Sequence, residues 1–162
     1  MYLSAEKLSP DSRIWIYQAN RELTTEEIKQ IEELTRVFLE SWTAHNQALN
    51  AGYEIRYNRF LILMVDEKSA GASGCSIDKS VHFIKSLEAK FSIDFFDRMR
   101  LAYKSNGRVE AVNKIEFEKL YTEGVLNSDS IVFNNLVETK EQLVSGWEIP
   151  VKNSWHQSFL AS

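Results

Sequence analysis

The chain contains few of the residues that cross-link, bend or interrupt a protein. Its 162 residues include one cysteine, two prolines and six glycines. A lone cysteine cannot form a disulfide within the chain or build a structural zinc site, which excludes a small fold held together by either. Scarce proline and glycine argue against a disordered chain. Because no Cys-rich or His-rich ligand pattern is present, we expect no metal site and no cofactor.

Long apolar runs and an excess of positive charge are also missing. The longest apolar run, Phe60 to Val65, is far shorter than the ~20 residues that a membrane helix needs. The first residues do not combine a basic region with an apolar stretch, so we expect no secretory signal. The formal net charge of -4 gives no overall field that attracts nucleic acid. We therefore expect a cytoplasmic protein that binds neither nucleic acid nor membrane.

The composition that remains is typical of a globular protein. Hydrophobic residues make up 44% and charged residues 26%, which is ordinary for such chains. The length predicts a single globular domain over 1–162, with 1–10 as a loose arm.

Hydrophobic periodicity and turn residues predict the order of helices and strands. The predicted strands are Arg13–Ala19, Tyr53–Tyr57, Phe60–Val65, Asp97–Lys104, Arg108–Asn113 and Ser130–Phe133. One predicted helix runs from Thr24 or Thr25 to about His45, and a second starts near Ser76 with an apolar stripe that includes Phe91. Two shorter helices are predicted at Lys114 to Glu123 and at Val137 to Ser145. This order, roughly β-α-β-β-α-β-β-α-β-α, predicts an α+β fold with a mixed sheet and helices packed on it.

The junction after Phe60–Val65 is the best candidate for a site. An interior strand is followed by a loop of small residues and then by the start of a helix. The unpaired N–H groups of a helix start, together with the positive end of the helix dipole, suit an anion. We therefore predict ligand-binding residues at Ser73, Gly74, Ser76 and Lys79. Asp78 opposes a highly charged ligand, so a carboxylate is preferred to a polyphosphate.

Cys75 is the candidate catalytic residue at the same junction. A thiol at a helix N-terminus is stabilised as the thiolate nucleophile, but it also needs a base. His82 is ~10 Å along the helix at ~1.5 Å rise per residue, so His45 or His156 would have to approach through the fold. The alternative is that Cys75 packs a tight turn. Asp78 and His82, spaced four residues apart, form either an acid–base pair or a surface salt bridge.

Two windows of the chain resemble nucleotide-binding motifs. Leu61 to Glu67 resembles the Walker B strand of the ATP-binding-cassette ATPases, and Gly74-x-x-x-x-Lys79-Ser80 resembles a Walker A loop with Asp78 at its second glycine. The whole chain resembles a family of short bacterial proteins often labelled "ABC transporter ATPase". That resemblance covers most of the chain and supplies no established activity.

The loop chemistry nevertheless predicts that ATP is not bound. A P-loop needs glycine before its lysine so that the backbone can wrap the phosphates. Asp78 would instead place a carboxylate beside them. The strand-like motif also precedes the loop-like motif, which reverses the usual order.

Two functions of different classes remain open from the sequence. The first is a non-enzymatic binding or adaptor domain for an unknown protein partner, which could also form a homo-oligomer. The second is a small enzyme, or a protein that binds a small anionic ligand, with its site at Gly71–Ser80. The four tryptophans belong either to the core or to an aromatic binding surface.

Overall fold

The computed structural model describes residues 1–160, and that part of the chain forms four α-helices and nine β-strands. The helices are α1 (Thr25–Glu40), α2 (Gly74–Phe91), α3 (Lys114–Thr122) and α4 (Lys140–Gly146). The strands are β1 (Arg13–Gln18), β2 (Thr43–Ala44), β3 (Gln47–Ala48), β4 (Asn50–Arg56), β5 (Phe60–Asp66), β6 (Leu101–Ser105), β7 (Arg108–Val112), β8 (Ile131–Phe133) and β9 (Glu148–Pro150). The predicted α+β class is confirmed.

Contacts group the chain into two compact units, of which the first comprises 1–96 together with 138–141. Its main sheet has the order β1-β5-β4, and β5 runs antiparallel to both neighbours. Every residue of Phe60–Val65 is 0% exposed, which confirms the predicted interior strand. Leu61, Leu63 and Val65 belong to a core that also includes buried residues of α1 and α2.

Helix α1 begins as predicted and ends earlier than predicted. At its start Thr24 and Glu27, spaced as in a capping-box sequence, form that capping box. The predicted end at about His45 is wrong, because the helix stops at Glu40. His45 and Asn46 have φ values of 50° and 63°, and this left-handed pair forms the turn between β2 and β3. A continued helix cannot accommodate those backbone angles.

The first ten residues, expected as a loose arm, instead pack along the edge of β4. The amide of Leu3 donates to the carbonyl of Ala51 at 2.8 Å. Leu8 is only 3% exposed, and the Nζ of Lys140 donates to the Leu8 carbonyl at 2.8 Å. The loose-arm prediction is therefore wrong, because an edge strand offers unpaired backbone groups that this segment satisfies.

The second unit comprises 97–137 and the chain from Gln142 onward. Its sheet has the order β7-β6-β8-β9, with each pair antiparallel. An Asn-Gly pair between two strands predicts a type I′ hairpin, and the φ values of Asn106 and Gly107, 52° and 78°, confirm it. Phe117 of α3 is 0% exposed and packs into the core of this unit.

Three details of the predicted architecture are corrected. The named strands of the described chain pair antiparallel in three sheets, not in one mixed sheet. Strand β6 begins at Leu101 because Asp97 accepts the amide of Met99 at 3.0 Å and forms a turn. Helix α4 begins at Lys140, not at the predicted Val137. The backbone carbonyl of Glu138 instead accepts the amide of Ile14 of β1 at 2.9 Å. Whether 1–162 is one globular domain stays a prediction.

Candidate functional site

The strand–loop–helix junction has the predicted form. Strand β5 ends at Asp66, and α2 begins at Gly74 after the N-cap residue Ser73. The helix therefore starts slightly before the predicted position near Ser76. Gly74, Cys75 and Lys79 are all exposed, so the first turn of α2 is open to solvent on the side that carries them.

Ser73 and Ser76 form reciprocal hydrogen bonds at the start of α2. The amide of Ser76 donates to the Ser73 hydroxyl at 3.2 Å, and the amide of Ser73 donates to the Ser76 hydroxyl at 2.7 Å. Ser76 is 1% exposed, and its carbonyl accepts the indole N–H of Trp42 at 2.8 Å. These predicted ligand-binding residues therefore have a structural role as helix caps.

The loop also carries carboxylates that bind its own backbone. Glu67 accepts the amide of Ala72 at 2.9 Å. Asp66 accepts the amides of Lys68 and Ser9 at 3.1 and 3.3 Å. Burial favours the neutral form of Asp66, but the hydrogen bonds from Lys68 and Ser9 outweigh it and lower the pKa of this carboxyl. Some backbone N–H groups that could bind an external anion therefore already donate to carboxylates of the chain itself.

The thiol of Cys75 is exposed at the second residue of α2. Within residues 1–160 no histidine hydrogen-bonds to it. His45 lies in the β2–β3 turn and His82 is exposed on α2, whereas His156 bonds to Ser154 in the second unit. The nucleophile–base contact that catalysis would need is not formed by these residues.

The acid–base pair or salt bridge considered for Asp78 and His82 is not formed. Asp78 and His82 are both exposed, and no ion pair joins these two described side chains. Across residues 1–160 no group of three or more His, Cys, Asp or Glu side chains is placed to hold a metal ion. No α-helix in the same stretch is long and apolar enough to cross a membrane.

Comparison with known protein families, with curated proteins and with solved structures finds no match. The resemblance to the family labelled "ABC transporter ATPase" therefore stays a prediction.

The structure reveals exposed aliphatic side chains that the sequence did not single out. In the second unit Ile115 is 79% exposed and Val144 is 83% exposed, although both lie on helices. Ile115 faces solvent because Phe117, which is 0% exposed, lies on the opposite face of α3 and packs inward. Leu136, in the turn before α4, is 66% exposed.

Replacing the N-cap of α2 tests whether Ser73 is structural. We expect Ser73→Ala to lower the free energy of unfolding by ~1 kcal/mol, because a cap hydroxyl is lost. Lys79→Ala is the matched control and should change it by less than ~0.5 kcal/mol, since Lys79 is exposed. Urea denaturation followed by circular dichroism measures both. An unchanged Ser73→Ala variant would contradict the capping role.

Proposed function

We propose that the protein is a non-enzymatic binding or adaptor domain that contacts a partner protein through aliphatic side chains beside α4. The observation that supports this most directly is the exposure of Val144 and Leu136, at 83% and 66%. Val137, the neighbour of Leu136 in the chain, lies beside the C-terminal end of α4, since a Cβ at Gly146 would lie 3.8 Å from Val137 Cγ1. We call Leu136 and Val144 the α4 surface.

The folding of α4 does not favour a valine at position 144. Valine has a lower helix propensity than alanine, lysine or glutamate, and an exposed valine gains no stability from burial. Covering an aliphatic side chain in an interface contributes ~1.5–3 kcal/mol. Two such residues on adjoining elements would supply the apolar centre of a small interface. The proposal includes a cytoplasmic location.

The alternative is a small enzyme or a carboxylate-binding protein at Gly71–Ser80. The exposure of Cys75 and Lys79 favours access to this junction. The mutual bonds of Ser73 and Ser76 and the carboxylate of Glu67 argue against it. We therefore prefer the binding domain.

Site-specific photo-crosslinking in living cells tests the α4 surface. With a photoreactive amino acid at position 144, we expect discrete adducts with another protein. Leu136→Lys in the same chain should abolish them, because a charge in the apolar centre of an interface is costly to desolvate. The fold should be unaffected, since Leu136 is 66% exposed.

Val37 provides the matched control for this experiment. It is a 71% exposed valine on α1 of the first unit. The same photoreactive residue at position 37 should give no discrete adduct. Equal adducts at positions 37 and 144, or none at 144, would overturn the proposal.

A further inference from the structure

The end of the second unit is held by aromatic packing around a buried histidine. We call residues 151–160 the C-terminal segment; it contains 3-10 helices at Val151–Asn153 and Trp155–Phe159. His156 is 0% exposed. Its ring stacks on Trp155, with centroids 3.9 Å apart, and lies 5.6 Å from the ring of Phe117 on α3. The imidazole therefore lies at the contact between the segment and α3.

Only one of the two ring nitrogens of His156 has a hydrogen-bond partner. Nδ1 lies 2.6 Å from the Ser154 hydroxyl, and Ser154 is itself 8% exposed. Nε2 is buried and has no hydrogen-bond partner among the described residues. A neutral imidazole tolerates this arrangement. An imidazolium would carry a second N–H donor and a full charge in the same apolar surroundings.

No charged group nearby compensates such a cation. The ionisable side chains on the elements of this core are Tyr103 and Lys104 of β6, Arg108 and Glu110 of β7, Lys114, Glu116, Glu118, Lys119 and Tyr121 of α3, and Lys152 of the segment itself. Lys114 pairs with Glu118 at 3.8 Å, and Lys152 pairs with Asp129 at 2.8 Å. None of them hydrogen-bonds or forms an ion pair with His156. Burial alone lowers the pKa of His156 from 6.5 to about 4.

We propose that the C-terminal segment is an acid-released clasp, in which protonation of His156 detaches residues 151–160 from α3 while the β5 core stays folded. The segment suits this role because it consists of short 3-10 turns. Its release would expose Phe117, which is 0% exposed in the closed state. An apolar surface would then become available only in acid.

The direction of the pH dependence follows from linkage. The closed segment holds a neutral imidazole down to about pH 4, whereas the released segment binds a proton near pH 6.5. The clasp is therefore fully stable above pH 6.5 and weakens as the pH falls toward 4. The equilibrium constant for release of the segment from α3 rises by up to ~10-fold for each unit by which the pH falls in that window. It rises ~30-fold between pH 7.5 and pH 5.0.

Hydrogen exchange measured by mass spectrometry tests the clasp. After correction for intrinsic exchange rates, we expect the protection of peptides from 151–160 to fall ~30-fold from pH 7.5 to 5.0. Peptides from β5 should keep their protection. Equal loss in β5 would show global unfolding and overturn the proposal, and so would constant protection of the segment.

Histidine variants identify the group that titrates. His156→Phe should remove the pH dependence of the segment, because its neutral ring cannot be protonated; His156→Gln is the second choice should the phenylalanine variant not fold. His82→Gln is the matched control, since His82 is exposed on α2, and it should keep the ~30-fold loss expected from linkage. A loss of protection that persists without His156 would assign the titration to another group and overturn the proposal.

Should neither His156 variant fold, an NMR titration of the wild-type His156 ring decides. Protonation of the ring must coincide with the loss of protection of the segment.

Discussion

Leu63→Asp is expected to leave the protein unfolded. Leu63 is 0% exposed on the middle strand of the β1-β5-β4 sheet, and its side chain belongs to the core shared with α1 and α2. A buried carboxylate with no partner costs several kcal/mol. Loss of the leucine adds ~1.5–3 kcal/mol. Together these approach the ~5–15 kcal/mol that separates a typical native protein from its unfolded state.

Circular dichroism and thermal unfolding measure this effect. Leu63→Met is the matched control, because it conserves volume and should cost less than ~1.5 kcal/mol. Val37→Asp is a second control, because it places the same carboxylate at a 71% exposed position. A Leu63→Asp variant that unfolds cooperatively at the wild-type temperature would show that Leu63 is not in the core.

Strand β5 and the hairpin at Asn106-Gly107 were predictable because their signals are local. A run that is apolar on both faces and a turn that needs two left-handed residues leave few alternatives. Helix α1 shows where local patterns fail. Trp42 continues the helical spacing of Phe38, yet its indole bonds to Ser76 from beyond the helix end.

The short strands were missed for the same reason. β2 and β3 have two residues each, too few to show a period of two. β9 ends in Pro150, and proline within a run argues against a strand except at an edge. Pairing with β8 is a long-range contact that no local pattern contains.

The strand–loop–helix form of the junction was predictable from the sequence, but its hydrogen bonding was not. The helix start and its serine caps follow from small residues before an apolar stripe. That Glu67 accepts the amide of Ala72 depends on the path of the loop, which the sequence does not specify. The burial of His156 likewise depends on how the C-terminal segment packs on α3, and a single histidine carries no signal of it.

Gly52→Ala is expected to lower the free energy of unfolding by ~1–3 kcal/mol, the usual cost of overpacking. A Cβ at this position would lie 2.6 Å from the carbonyl oxygen of Leu3 and 2.9 Å from Leu8 Cδ1. The Leu3 oxygen belongs to the backbone and cannot rotate away. The N-terminal segment along β4 must therefore shift, and limited proteolysis should cut it faster. Gly74→Ala is the matched control, because its Cβ would meet nothing within 4 Å.

A double variant separates this clash from a general loss of backbone freedom. Leu8→Ala alone should cost ~2–5 kcal/mol, because Leu8 is 3% exposed. It also removes one of the two atoms that would lie closer than 3.0 Å to a Cβ at Gly52. The two substitutions should then cost less together than the sum of their separate costs, with a coupling of ~0.5–3 kcal/mol. Strict additivity would mean that Leu8 Cδ1 does not contribute to the cost of the Gly52 substitution.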